Sequence, residues 1–159
     1  MSSPLIKGWN HNTLNWDECI DIYNTSIEES KNELMIKCDE HMSLYCGDGK
    51  LNPIVAKMKL PGFFVCHSAN IHKKVQEVMK MVNATDAHIY FNITRKAGSF
   101  GLHHDDTDVV YWQCVGKVVV IIDDVEYLLK PGDMIKIPKY VKHNVVPITP
   151  RIGVSLSVI

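Results

Sequence analysis

The second half of the chain is cut into short runs of β-branched and apolar residues, and this punctuation constrains the fold more than any other feature. Ala87 to Thr94, Val109 to Val115, Val118 to Ile122 and Val125 to Leu129 each read as a strand, as do Met134 to Ile137, Val145 to Ile148 and Ile152 to Val158. Gly116, Asp123-Asp124 and Pro131-Gly132-Asp133 stand between them as turn signals. Closely spaced short strands with regular turns predict an all-β sandwich or barrel. Val118-Val119-Val120-Ile121-Ile122 is apolar on both faces, as a strand is when it lies centrally or at an oligomer contact.

The first half reads differently. Residues 1–13 form an extended lead-in with Trp9 as its obvious anchor. A helix is predicted from Trp16 to Ser30, opened by Asn15 with Glu18 three residues later and carrying Trp16, Ile20, Tyr23 and Ile27 as its apolar stripe. Leu34 to Cys38 reads as a strand, Asp39 to Pro53 as a loop, Ile54 to Leu60 as a strand, and Phe63 to Cys66 follows the Pro61-Gly62 turn. A second helix is predicted from Ile71 to Val82, capped by Asn70 and stopped at Asn83. No repeat or low-complexity linker interrupts the chain. The expectation is one domain over residues 1–159, in which a mixed region, 1–85, lays its two helices on the outside of a β-sandwich formed by 86–159.

Charge and cysteine content narrow the function classes. Seventeen Lys and Arg against eighteen Asp and Glu give a formal net charge of −1. With no basic tract, neither nucleic acid nor an acidic membrane is expected as a partner. Five scattered cysteines, with no Cys-x-x-Cys pair, argue against a disulfide framework or zinc ribbon and fit a reducing compartment. The N-terminal stretch lacks the apolar core of a signal peptide, and no apolar run approaches membrane-spanning length. A cytoplasmic location is the expectation.

The chemistry concentrates in Gly101-Leu102-His103-His104-Asp105-Asp106-Thr107-Asp108. On an extended backbone His103 and Asp105 share a face and His104 takes the other. A third donor, His143, follows Pro131-Gly132-Asp133, a short apolar strand and Pro138. Two histidines and one carboxylate on one face leave the far side of a metal open, as in non-haem Fe(II) oxygenases. His103, Asp105 and His143 are therefore the candidate metal ligands. Fe(II) is the expected ion, with Ni or Zn as substitutes. Acidic residues before a strand are otherwise an ordinary solvated turn, and His-x-Asp alone is a weak pattern. The succession of turn, strand, proline and histidine downstream favours the metal.

At these residues the chain resembles a known family. The stretch from Gly98 to Lys117, with Phe100-Gly101-Leu102-His103-His104-Asp105, Asp108-Val109 and Gln113-Cys114-Val115-Gly116, is similar to the metal segment of the cupin-like Jumonji C oxygenases, in the ribosomal-protein hydroxylase branch. Leu129 through His143 is similar to that family's second ligand segment. The resemblance implies a double-stranded β-helix (the cupin jelly roll), an Fe(II) centre, 2-oxoglutarate as small-molecule cosubstrate, and a protein side chain or small molecule as the target of hydroxylation. A homodimer through the jelly roll fits the same picture.

The sequence departs from the family at one place. Where the family carries Lys or Arg for the distal carboxylate of 2-oxoglutarate this chain has Val118, and Lys117 falls one residue early. One residue on a strand moves a side chain to the opposite face. Arg151 is the first candidate to replace the cation, with Lys117 and Lys136 behind it. Asn92 and Thr94, on the strand before the metal segment with Tyr90, are candidates to contact the bound acid. Asp106, Asp108, Gln113 and Asn144 are candidates to orient the ligand imidazoles. The alternative reading is a small cupin that binds a metal or metabolite without oxidative turnover.

Overall fold

The computed structural model describes residues 3–28, 34–38, 41–45, 63–66, 69–93 and 100–159. Eleven strands and two α-helices are found among these residues. In chain order they are β1 (Leu5–Ile6), α1 (Trp16–Glu28), β2 (Leu34–Cys38), β3 (His41–Tyr45), β4 (Phe63–Cys66), α2 (Lys73–Val82) and β5 (Ala84–Asn92). Then come β6 (Asp108–Val115), β7 (Val118–Ile122), β8 (Val125–Leu129), β9 (Met134–Ile137), β10 (His143–Pro147) and β11 (Arg151–Val158). The large sheet has the order β1-β9-β6-β11-β5-β4-β2-β3, and the small one β10-β7-β8. All of the pairings are antiparallel. The architecture is a two-sheet jelly roll with helices outside, the fold class expected.

Strand alternation divides the core in two. Ala87, Ile89 and Phe91 of β5, Val110, Trp112 and Cys114 of β6, and Ile152, Val154 and Leu156 of β11 meet the helical residues Cys19, Ile22, Val75 and Val78 in one cluster. The intervening positions face the small sheet, where Val109, Tyr111, Ile135 and Ile137 pack on Val118, Val120, Ile122 and Val145. Strands β5, β6, β9 and β11 thus serve the helix layer on one face and the sandwich interior on the other.

The N-terminal segments depart in detail from the sequence reading. The lead-in is part of the sheet: β1 pairs with β9, Trp9 meets Trp112 edge-on at 6.2 Å, and Trp112 Nε1 donates to the Asn10 carbonyl. The α1 capping box forms, with Glu18 N–H donating to Asn15 Oδ1 and Asn15 N–H to Glu18 Oε1. Its buried face is set by Cys19 and Ile22, while Ile20 is 51% exposed. Trp16 and Met79 are partly buried, and the side chains of Tyr23 and Ile27 lie outside the described residues. A short 3-10 turn (Ala69–Ile71) precedes α2, so His72, and not Asn70, is the N-cap, accepting from Lys74 N–H. Asn83 ends α2 in the left-handed region at φ 57°. β3 occupies part of the stretch read as loop, and the strand expected over Ile54 to Leu60 lies outside the described residues.

In the second half the turns follow their residues. Asp123 and Asp124 both take positive φ (46° and 65°), the two-residue hairpin geometry that matches strand twist. At Pro131-Gly132-Asp133 the buried Asp133 side chain does two tasks. Its Oδ1 accepts from Gly8 N–H and its Oδ2 from Lys130 N–H, which ties the turn to the lead-in. Removing that carboxylate leaves two backbone donors without their acceptor, at a cost of about 1–3 kcal/mol each. We expect Asp133→Ala to lower unfolding free energy by about 2–4 kcal/mol in urea denaturation, where a loss below about 0.5 kcal/mol contradicts this account.

Candidate metal centre

The centre is assembled by a single backbone bridge. His103 N–H donates to the His143 carbonyl at 3.0 Å and His143 N–H to the His103 carbonyl at 2.8 Å. Residues that exchange both hydrogen bonds in an antiparallel pair sit directly opposite and point their side chains to the same face. The two imidazoles therefore meet, with ring centroids 4.3 Å apart. Asp105, two residues on, falls on the same face, and its Oδ2 lies 3.3 Å from His143 Nε2. Donor atoms of all three lie within 4.8 Å of one another. Ligands about 2.1 Å from one ion and at right angles stand about 3 Å apart, so the set fits a metal after small side-chain shifts. His104 is exposed on the opposite face, its ring 6.2 Å from that of Tyr140.

Both imidazoles are oriented by main-chain carbonyls. His103 Nδ1 lies 2.8 Å from the Gly101 carbonyl, and His143 Nδ1 lies 3.0 Å from the Val141 carbonyl. A carbonyl only accepts, so each Nδ1 carries hydrogen and each Nε2 is directed to the ligand cluster. None of the four side chains expected in this role takes it. Asp108 Oδ1 instead accepts from Lys139 N–H, which, with Tyr140 N–H donating to the Asp105 carbonyl, fastens the loop before His143 to the loop after His103. Both acceptors lie two residues upstream of their histidine, and main-chain carbonyls carry no residue-type signal.

The electrostatics of the three groups are coupled. Hydrogen bonding to His143 holds Asp105 below the usual carboxylate range against the opposing effect of burial. Burial works against charge on His143, but its bonds to Asp105 and to the Val141 carbonyl outweigh burial and hold it above the ordinary histidine value. A divalent ion must displace the proton this arrangement retains, so metal affinity falls as pH drops through that raised value.

Behind the ligands a buried polar network fills the sandwich end. Arg151, 1% exposed, donates from Nε to Asn92 Oδ1 at 2.7 Å and from a terminal nitrogen to the Tyr111 hydroxyl at 2.9 Å. Tyr111 donates in turn to Gln113 Oε1 at 2.7 Å. Gln113 Nε2 donates to the carbonyls of Val115 and Gly116, so the Gln-x-x-Gly turn is a side-chain-capped turn. Gly116, at φ 74°, is confined to glycine because a Cβ there would overlap the Pro150 carbonyl. Gly153 of β11 is required for a different reason: a Cβ would overlap the Tyr111 ring and hydroxyl that reach across it to Arg151.

Arg151, Tyr111, Tyr90, Ser155 and the three candidate ligands line one cavity of about 30 Å³, the volume of a water molecule. It adjoins a polar groove of about 380 Å³ through the shared Tyr90, Asp105, Val109 and Ser155. Burial pushes the Tyr90 hydroxyl up to about 12, so it stays a neutral phenol at this junction. A larger cleft of about 500 Å³, lined by Ile6, Trp9, Met81 and Met134 among others, includes none of the three candidate ligands in its lining.

Two basic candidates are not brought to the cavity. Lys117 is exposed beyond the β6–β7 turn, with its backbone N–H on Thr149 Oγ1, while Val118 is fully buried in the sandwich core. A register shift between β6 and β11 puts a bulge near Cys114, yet Lys117 stays on the outer face of β7. Lys136 is exposed on β9 and lines the larger cleft, not the ligand cavity. Asn92 is buried against Arg151, and Thr94 lies outside the described residues.

No protein-family profile matches the chain, and no curated protein sequence does. Solved structures do match. YcfD, a ribosomal oxygenase from Escherichia coli in complex with cobalt and 2-oxoglutarate, superposes with a TM-score of 0.75 at 16% identity, over 96% of this chain and 46% of that one. Its complex with cobalt and succinic acid gives 0.74 at 17% identity over the same shares. The protein shares their fold, a two-sheet jelly roll. It spans slightly under half the length of YcfD, and at such identity the likeness carries the fold alone. Among the described residues no helix is long and apolar enough to cross a membrane.

The bridge separates two adjacent histidines. We expect His103→Ala, Asp105→Ala and His143→Ala each to weaken Ni(II) or Zn(II) binding at least about 100-fold in calorimetric titration, and His104→Ala to change it less than about threefold. Equal losses in all four variants contradict the face assignment.

Proposed function

We propose that the protein is a metal-dependent cupin oxygenase that takes Fe(II) at His103, Asp105 and His143 and 2-oxoglutarate as cosubstrate, hydroxylating a protein side chain or a small molecule. The observation that carries the reading is the convergence of two Nε2 atoms and one carboxylate on the face that also holds the buried guanidinium of Arg151. Bound Fe(II) would supply open coordination positions for O₂ and for the 2-oxo acid. The chain's own residues contribute the remainder. Arg151, preset by Asn92 and Tyr111, offers a planar cation to a distal carboxylate. The neutral Tyr90 phenol and Ser155 face the same cavity and donate hydrogen bonds without adding charge. The polar groove beyond Asp105 is the approach for the group to be hydroxylated.

One observation favours a second reading, a cupin that holds a metal without oxidative turnover. The cavity of about 30 Å³ is far below the volume of a five-carbon diacid.

Calorimetric titration of the metal-loaded, oxygen-free protein with 2-oxoglutarate separates the two. We expect binding in the micromolar range, weakened at least about 50-fold by Arg151→Gln and less than about twofold by Lys136→Ala or Lys117→Ala. Metal affinity serves as the folding control and should be retained in all three variants. No detectable binding to the unmodified protein at about 1 mM refutes the cosubstrate.

A further inference from the structure

Between the end of α2 and the β6–β9 end of the large sheet lies the cleft of about 500 Å³. Ile6 and Trp9 of the lead-in, Met81 and Val82 of α2, and Val110 and Met134 of the sheet are among its walls. Ile6 and Met81 are 39% and 57% exposed, so part of this apolar wall is open to solvent. A concave apolar volume of this size is in the range of small-molecule sites, and methionine side chains adapt readily to a flexible ligand.

One charged residue stands where strand alternation calls for an apolar one. Met134 of β9 faces the helix layer and Ile135 the sandwich interior, so Lys136 returns to the helix-layer face. It lies opposite Val110, which is buried in that layer. Lys136 is exposed, lines the cleft, and makes no ion pair among the described residues. Asp108, the other charged residue of the lining, accepts from Lys139 N–H through Oδ1. The cleft thus offers one uncommitted cation beside apolar walls.

We propose that this cleft binds a small amphipathic monocarboxylate, a molecule with one carboxylate for Lys136 and an aliphatic tail for the walls. Charge complementarity selects the head group. Lys136 attracts a single negative charge, and the Asp108 carboxylate in the same lining disfavours a second one, as on a phosphate ester. A cationic head would meet Lys136 as a like charge. The tail supplies the favourable term, because each methylene moved from water onto the Trp9, Met81 and Met134 walls removes apolar surface from solvent. Val109 and Ile137 line both this cleft and the ligand cavity, but neither Arg151 nor any of the three candidate ligands lines the cleft. Binding here therefore needs neither the metal nor 2-oxoglutarate.

The experiment is calorimetric titration of the full chain with hexanoate, octanoate and decanoate, with 1-octanol and octylammonium as head-group controls. A chelator is present throughout, so that no carboxylate coordinates a metal at the candidate centre. We expect octanoate to bind with a dissociation constant of about 0.1 mM, and affinity to rise by up to about fourfold for each methylene added. 1-Octanol should bind at least about fivefold more weakly than octanoate, and octylammonium more weakly still. Lys136→Ala should weaken octanoate at least about fivefold while leaving 1-octanol within about twofold, and Lys136→Arg should retain both. Met81→Glu places a negative charge in the apolar wall and should weaken octanoate at least about tenfold. Both positions are exposed, so circular dichroism should show folding unchanged. Absence of octanoate binding at about 5 mM overturns the proposal. Octanoate binding that Lys136→Ala and Met81→Glu leave unchanged overturns it as well. Equal binding of octanoate and 1-octanol overturns the carboxylate as the head group, and an affinity independent of chain length overturns the apolar tail.

Discussion

The pair of backbone hydrogen bonds between His103 and His143 is the interaction on which the candidate centre depends. Forty residues separate the two in sequence, and no local propensity brings them together. The bridge removes the choice of face: once each donates to the other, their side chains must point the same way. Asp105 follows by alternation alone. Two further main-chain bonds, Lys139 N–H to Asp108 and Tyr140 N–H to the Asp105 carbonyl, close the loops around the bridge. The geometry is therefore held by backbone, with each imidazole aimed by a carbonyl two residues upstream.

A second constraint is the division of labour across the large sheet. Its outer face is apolar across β5, β11 and β6 and packs under the helices. Its inner face is apolar only in part, because Asn92, Arg151, Tyr111 and Gln113 form a buried hydrogen-bonded network there. Burying a guanidinium is costly unless its donors are satisfied, and a network of this size is retained where it serves recognition or specifies geometry. The glycine at 153 fits that view. It gives up side-chain packing so that Tyr111 can cross β11 to Arg151.

Val118 and Arg151 stand on different sheets of the sandwich. Val118 faces the sandwich core and adds apolar packing, while the cation enters from β11 on the opposite sheet.

Local chemistry determined much of this protein by itself. Apolar runs bounded by turn residues such as Asp123-Asp124 specify β7, β8 and β9 to the residue, since positive-φ positions end the strands. The Asn15–Glu18 box specifies the start of α1 in the same way. Alternation also separates His103 from His104, because neighbouring side chains on an extended backbone must diverge. What a helix buries is not local, and α1 turned Cys19 and Ile22 inward where the stripe through Ile20 was expected. The partners of the imidazoles, the outward turn of Lys117 and the junction of Arg151 with Tyr111 were decided only by tertiary structure. Each depends on which strands become neighbours and in what register, and that is set by the packing of the whole sandwich.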